Sequence, residues 1–195
     1  MRRLLTILSI LLLTLTTTAQ TARQVLDKTA AALSNKGGIT ASFSVKNGVS
    51  GTISVKGRKF HATTAQGMVW FDGKTQWTYV KQNSEVNVSN PTSSELQAVN
   101  PYNFIHLYKK GYKAELKDVG NLYQIHLTST NGKQSIGEMF IRVDKKTYAP
   151  TILSMREGKR WTTITVSSFK SVNLDDSYFK FPSKDFPQAE IIDLR

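Results

Sequence analysis

Short runs of alternating apolar and polar residues, divided by glycine-containing turn pairs, constrain this chain more than any other feature. Ile39, Ala41, Phe43 and Val45 alternate with Thr40, Ser42 and Ser44, and Ile53 and Val55 alternate with Ser54 and Lys56. A period of two places the apolar set on one face of a strand, so each run asks for a half-buried sheet position. Asn47-Gly48, Asp72-Gly73, Asn131-Gly132 and Glu157-Gly158 separate such runs. Asn-Gly accepts the positive φ of a type I′ hairpin turn, so antiparallel neighbours follow. Further strand patterns cover 59–64, 68–71, 76–81, 85–89, 112–116, 122–128, 135–144, 151–157 and 161–169, and Phe179-Lys180-Phe181-Pro182 alternates near the end. The expected architecture is a mainly β sheet or barrel with helical additions.

Two stretches break the pattern. Residues 21–33 carry Val25, Leu26, Thr29, Ala32 and Leu33 on one helical side, with Arg23, Asp27 and Lys28 elsewhere, and Gly37-Gly38 follows. That spacing predicts one amphipathic helix. Residues 91–111 interrupt the sheet. Thr92 to Val99 holds a helical turn or two, and Asn100-Pro101 supplies an N-cap with proline at the first helical position. Leu96, Phe104, Ile105, Leu107 and Tyr108 make this segment too apolar for a solvent face. It is therefore expected to cover something, as a lid over a curved sheet.

The start of the chain bears on compartment. Met1-Arg2-Arg3 precedes an apolar run from Leu4 to Leu15, and Thr17-Thr18-Ala19 offers small residues before Gln20. The run is shorter than the about 20 residues that span a bilayer. The expectation is a cleavable signal peptide over 1–19, one domain over 20–195 and a periplasmic location. The chain has no cysteine, which excludes disulfides, thiolate metal ligands, a cysteine nucleophile and a lipid-modified cysteine. The net charge is +12. In an exported protein a basic balance points to anionic surfaces or acidic partners, and not to nucleic acid.

Residues that carry catalysis are sparse. His61, His106 and His126 have no partner at metal-ligand spacing, and those in strand patterns read as solvent-facing. Nucleophile-elbow, Ser-x-x-Lys and Walker patterns are absent. Asp175-Asp176 reads as part of a turn. No enzyme, cofactor or metal site is expected. Aromatic side chains are the stronger signal. Phe43, Val45, Ile53, Val55, Phe60, Trp77 and Tyr79 are expected to line an apolar cavity beneath the lid, where each buried methylene of a ligand contributes about 0.8 kcal/mol.

The order of these pieces resembles the LolA-like outer-membrane lipoprotein carriers, of the Bacteroidetes type. The resemblance runs from about Thr21 to Leu194. It is carried by the helix leading into Ile39-Thr40-Ala41-Ser42-Phe43-Ser44, by Gly51-Thr52-Ile53-Ser54-Val55-Lys56, by Asp72-Gly73-Lys74-Thr75-Gln76-Trp77-Thr78-Tyr79, and by the terminal Phe179–Pro182 stretch. It implies an incomplete, strongly curved antiparallel β-barrel with a helical lid over the concave face. It further implies a chaperone that takes lipidated proteins by their acyl chains from an inner-membrane ABC transporter to an outer-membrane acceptor, LolB-like or the membrane itself. The family's Arg-Pro pair is replaced here by Lys56-Gly57-Arg58-Lys59-Phe60, which leaves Arg58 as the candidate lid latch. A lipid-sensing module of the same fold and a lipid-directed enzyme are the alternatives. Co-purification with a regulator would mark the first, and Asp, His and Ser converging in the cavity the second.

Overall fold

The computed structural model describes residues 20–92, 95, 96, 108, 109, 111–132 and 134–195. Helix α1 spans Ala22–Leu33. Thr21 caps it: the Thr21 hydroxyl accepts from the Gln24 N–H, and the Gln24 side chain accepts from the Thr21 N–H at 2.8 Å. This reciprocal cap satisfies two N–H groups that a helix start otherwise leaves unpaired. Val25, Leu26, Thr29 and Leu33 form the buried stripe, and the Thr29 hydroxyl donates to the Val25 carbonyl at 3.0 Å, so the one polar member is satisfied.

Twelve strands follow, joined in one sheet. They are β1 (Ile39–Val45), β2 (Ser50–Lys56), β3 (Lys59–Thr64), β4 (Gly67–Phe71), β5 (Gln76–Val80), β6 (Glu85–Ser89), β7 (Tyr112–Val119), β8 (Leu122–Ser129), β9 (Ile136–Asp144), β10 (Pro150–Glu157), β11 (Arg160–Ser171) and β12 (Glu190–Asp193). Their order is β12-β6-β5-β4-β3-β2-β1-β11-β10-β9-β8-β7. Neighbours are antiparallel, apart from β12, which lies parallel to β6. The sheet does not close on itself.

It is nevertheless curved. Phe60 and Phe71, on β3 and β4, share one core cluster with Tyr112 and Leu127, on β7 and β8. A flat sheet would hold β4 and β7 roughly 40 Å apart at about 4.8 Å per strand. Only bending brings their side chains to a common core. Part of the bend is built into β11, where Ser168 takes φ of 52° and the register with β1 shifts between Thr40 and Ser42. An extra residue of this kind increases local twist and turns the strand.

The glycine pair after α1 has a specific use. A Cβ on Gly37 would lie 2.4 Å from the Val172 carbonyl oxygen, and Leu174 N–H donates to the Gly37 carbonyl at 2.8 Å. The pair therefore lets the chain run flush beside the end of β11 before β1 begins.

Three local expectations are corrected. At Asn47-Gly48 only Asn47 has positive φ, 58°, and Gly48 N–H donates to the Val45 carbonyl at 3.0 Å. A type I′ turn needs positive φ at both central residues, so the turn is of another kind. The alternating Phe179–Pro182 stretch is not a strand: Asp176–Phe179 is a 3-10 helix capped by Asp175. The alternation instead spaces aromatic anchors against the outer face of the sheet. His61 also does not face open solvent. It stacks on Trp70 at 5.0 Å and meets the edge of Tyr178 at 4.9 Å.

Candidate functional site

Strand register assigns the faces. Ala41 stands opposite Ile53, Ile53 opposite Ala62, and Ala62 opposite Val69. Ile39 pairs with Val55, Val55 with Phe60, and Phe60 with Phe71. On the other side of β1, Phe43 pairs with Val166 and Val45 with Ile164. Ile164 continues to Leu153, then Ile141, then Ile125, then Leu116. Paired residues point to the same side, so these rows form one apolar inner face that runs across β1–β4 and β7–β11.

That face is covered unevenly. Ile53, Val55 and Phe60 are buried in one cluster with Val25, Leu26 and Leu33 of α1. Phe43, Val45, Ala62, Val69, Met155 and Val166 are packed against the same cluster but only partly buried. They belong to the strand halves nearer the 46–49 and 158–159 turns. The inner face thus has a part shut by its own side chains and a part left half-covered. Of the expected lining residues, Phe43, Val45, Ile53, Val55 and Phe60 share this face.

Trp77 and Tyr79 do not. Trp77 pairs with Trp70, Tyr79 pairs with Met68, and the residues between them, Gln76 and Thr78, continue the inner rows from Phe71 and Val69. Trp77 and Tyr79 therefore project from the outer face. There the Tyr79 ring lies 4.7 Å from Phe186, and Trp70 meets Phe181 and Phe186 edge-on at 5.4 and 5.6 Å. Strand β4 is apolar on both sides, with Phe71 inward and Trp70 outward. Alternation alone could not tell which side the β5 aromatics join.

The expected lid is described in part. Glu95 and Leu96 are helical, and Thr92 begins this turn as Thr21 begins α1. Glu95 N–H donates to the Thr92 hydroxyl at 3.3 Å, and the Glu95 carboxylate accepts from Thr92 N–H at 2.7 Å. The Thr92 N–H, and then the Thr92 hydroxyl, which donates to the same oxygen at 2.8 Å, hold the Glu95 carboxyl below its usual range. Leu96 packs against the core. Phe104, Ile105, Leu107 and His106 lie outside the described residues. Tyr108, at the far end of the segment, is 1% exposed, and its hydroxyl donates to the Asp27 carboxylate on α1. Burial first, and then this bond to an anion, push the Tyr108 phenol well above its ordinary range. Asp27 gave no signal in the sequence beyond its place on the polar side of the helix. Arg58 sits in the two-residue turn between β2 and β3, is exposed, and makes no hydrogen bond or ion pair with another described residue.

A separate cleft of about 550 Å³ opens between Gln76, Ser89, Asn90, Pro91, Glu95, Leu194 and Arg195. It adjoins the start of the 92–111 segment, mixes polar groups with Pro91 and Leu194, and meets the inner face at Gln76.

Polar constellations are few. On the outer face His126 Nε2 lies 2.8 Å from Glu138, whose other oxygen accepts from Arg156 at 2.9 Å. Arg156, then His126, hold the Glu138 carboxyl below its usual range. Asp176 pairs with Lys56 at 3.1 Å and with Lys59, which ties the 3-10 helix to the β2–β3 turn. Among the described residues no group of three or more His, Asp or Glu side chains is placed to hold a metal ion, and no helix is long and apolar enough to cross a membrane.

The fold has counterparts among solved structures. A conserved protein of uncharacterised function from Thermus thermophilus superposes with a TM-score of 0.62 at 14% identity, over 89% of this chain and 99% of that one. A LolA superfamily protein from Nitrosomonas europaea aligns with a TM-score of 0.44 at 10% identity, over 85% and 100% of the two chains. A putative outer membrane lipoprotein-sorting protein domain from Vibrio parahaemolyticus aligns with a TM-score of 0.47 at 11% identity, over 86% and 98%. No curated protein matches the chain in sequence. Residues 12–159 match the family described as outer membrane lipoprotein carrier protein LolA. With an unclosed curved sheet, an apolar inner face and a sequence match over most of its length, the chain belongs to the LolA family of outer membrane lipoprotein carrier proteins.

Proposed function

We propose that this protein is a periplasmic carrier that holds the acyl chains of lipoproteins against its inner face, without catalysing a reaction. Its family supports lipid binding as the general activity. The observation that carries the specific reading is the half-covered row of Phe43, Val45, Ala62, Val69, Met155 and Val166. A row of this kind, continuous with a fully buried core, gives a hydrocarbon chain an apolar wall without first dismantling the fold. Ile53, Val55 and Phe60 form the floor of that wall. The 92–111 segment, tied back to α1 through Tyr108, is the cover that moves when cargo enters.

In this reading residues 1–19 are removed on export and 20–195 act as one unit. Cargo comes from an ABC transporter of the inner membrane and goes to an acceptor at the outer membrane. The energetics suit reversible carriage. A methylene buried in the trough gains about 0.8 kcal/mol, and Leu96 of the cover gives up its packing on the core when displaced. The net affinity is then far below the sum of the cargo's contacts, which permits release.

Titration with a fluorescent fatty acyl probe tests this. Saturable binding, displaced by a lipidated peptide and not by the same peptide without its lipid, is the expected result. A well-folded protein that binds neither probe nor lipidated peptide would falsify the proposal.

A further inference from the structure

One end of the sheet carries a row of exposed cations beside an exposed tryptophan. At this end lie the turns after β1, β3, β5 and β10, and the point where the chain enters β7. Adjacent members of this end are bonded to each other: Lys46 N–H donates to the Thr163 carbonyl of β11, Lys81 N–H to the Gln66 carbonyl, and Thr130 N–H to the Gly111 carbonyl, each at 2.9 Å. Lys46, Lys81, Lys109, Lys159 and Arg160 all stand exposed along this rim. Against them stand Glu157, which is 3.5 Å from Arg160, the half-buried Glu85, and the exposed Glu190, which begins β12 beside Glu85. The opposite end carries Asp72, Asp118, Asp144, Asp175 and Asp176 among its lysines, where Lys145 meets Asp118 at 3.0 Å and Asp176 meets Lys56 and Lys59. At that end Lys56, Lys59 and Lys145 are held in ion pairs, and among the described residues Arg160 alone of the five cations named on the first rim is.

Trp161 begins β11 on the cationic rim and is 44% exposed. Phe140 stacks behind it at 5.8 Å and Arg156 lies 6.0 Å from its ring centroid. The indole is thus held in place, with Lys159 and Arg160 beside it. Val49, 36% exposed in the adjacent hairpin, adds an apolar tip. Tryptophan favours the boundary between water and hydrocarbon, and lysine or arginine near an anionic leaflet is drawn to its headgroups. The cations are spread along several hairpin ends and are not gathered in a pocket. That distribution fits a broad charged surface better than a single acidic side chain or short peptide.

We propose that this rim, formed by Lys46, Lys81, Lys109, Lys159, Arg160 and Trp161, docks on the surface of a bilayer containing anionic phospholipid. The inference goes beyond the carrier reading and does not depend on it, since a cationic rim binds a membrane whether or not the inner face holds an acyl chain. If both hold, the half-covered part of the inner face is the part nearest the lipid, because its residues lie in the strand halves that lead to this rim.

Co-sedimentation of the purified protein with vesicles decides the matter. Vesicles of phosphatidylglycerol mixed with phosphatidylcholine are expected to bind it, pure phosphatidylcholine vesicles to bind it weakly or not at all, and binding is expected to fall steeply with salt. Each cation removed from the contact should weaken binding about fivefold. The paired change Lys159→Ser and Arg160→Ser should therefore cost roughly 25-fold. Lys145→Ser with Lys146→Ser, at the other end, should cost little. Trp161→Ala should weaken binding without changing its salt dependence. Circular dichroism verifies that each variant is folded, and the acyl probe assay on the same samples reports the inner face separately. Equal binding to both vesicle types, absence of binding at low salt, or equal losses from the two ends would overturn the proposal. Binding to polyglutamate but not to vesicles would also overturn it, and would reassign the rim to an acidic protein.

Discussion

The Tyr108 hydroxyl donates a hydrogen bond to the Asp27 carboxylate, joining the end of the 92–111 segment to helix α1. The ring of Tyr108 is buried in the core while Asp27 keeps contact with water. The bond therefore sits at the edge of the apolar layer, where breaking it leaves the carboxylate solvated. Tyr108→Phe is expected to lower stability by about 1–1.5 kcal/mol, read from the midpoint of urea unfolding, and to speed entry of an acyl probe. The phenol's raised pKa gives the sign of its pH dependence. Its stabilisation is fully present below the ordinary tyrosine value of 10.0 and is lost only as pH rises through the still higher folded value. Wild type and Tyr108→Phe should accordingly differ by a constant amount from neutral to mildly alkaline pH.

The assignment of faces predicts opposite results for two aromatic residues. Phe43 lies half-buried on the inner face and Tyr79 on the outer. Phe43→Ser is expected to weaken acyl probe binding about tenfold, the equivalent of roughly 1.4 kcal/mol of lost apolar contact. Tyr79→Ser should leave probe affinity unchanged, although losing its contact with Phe186 lowers stability. A loss of affinity in the Tyr79 variant alone would show the ligand bound to the wrong face.

His61 supplies a pH signature. Burial lowers its pKa from the ordinary value of 6.5, so the folded protein disfavours the charged ring. Stability from this residue is present above pH 6.5 and declines as pH falls from there toward the folded value. Unfolding midpoints measured from pH 7 to pH 5 should drop in the wild type. His61→Phe, which keeps a flat ring between Trp70 and Tyr178, should show a shallower drop.

The outer layer is expected to matter as much to stability as the inner one. Phe179 is fully buried, and Trp70, Val86 and Val88 are buried on the outer side of β4 and β6. Phe179→Ala should cost about 3–5 kcal/mol in equilibrium unfolding, comparable with truncating Phe60 on the inner side.

Much of this is legible in the sequence because half-buried strands write their burial into alternate residues. Ile53 and Val55 on β2, and Phe43 and Val45 on β1, declare a common face by parity, and α1 declares its stripe by spacing. Parity names two faces but does not say which is which. Where both sides of a strand are buried, as at Trp70 and Phe71, that information is lost, and for this reason alternation places Trp77 and Tyr79 on the wrong side. The Phe179–Pro182 stretch misleads in a related way, since aromatics spaced by two anchor an irregular segment as readily as a strand. Strand β12 is only four residues, Glu190–Asp193, too short for any period to show. Its pairing with β6 depends on a partner more than a hundred residues earlier. Asp27 is hidden because its role depends on where a distant tyrosine ends.

A sheet with two margins in place of a seam has a mechanical consequence. In a sealed cylinder, enlarging the bore requires strands to part and main-chain hydrogen bonds to break. Here β12 occupies one margin, and β7 presents Lys113, Glu115, Lys117 and Asp118 along the other, so neither invites a neighbouring chain to finish the cylinder. The wall can then flex outward while every ladder within it stays intact, and the work of making room falls on side chains alone.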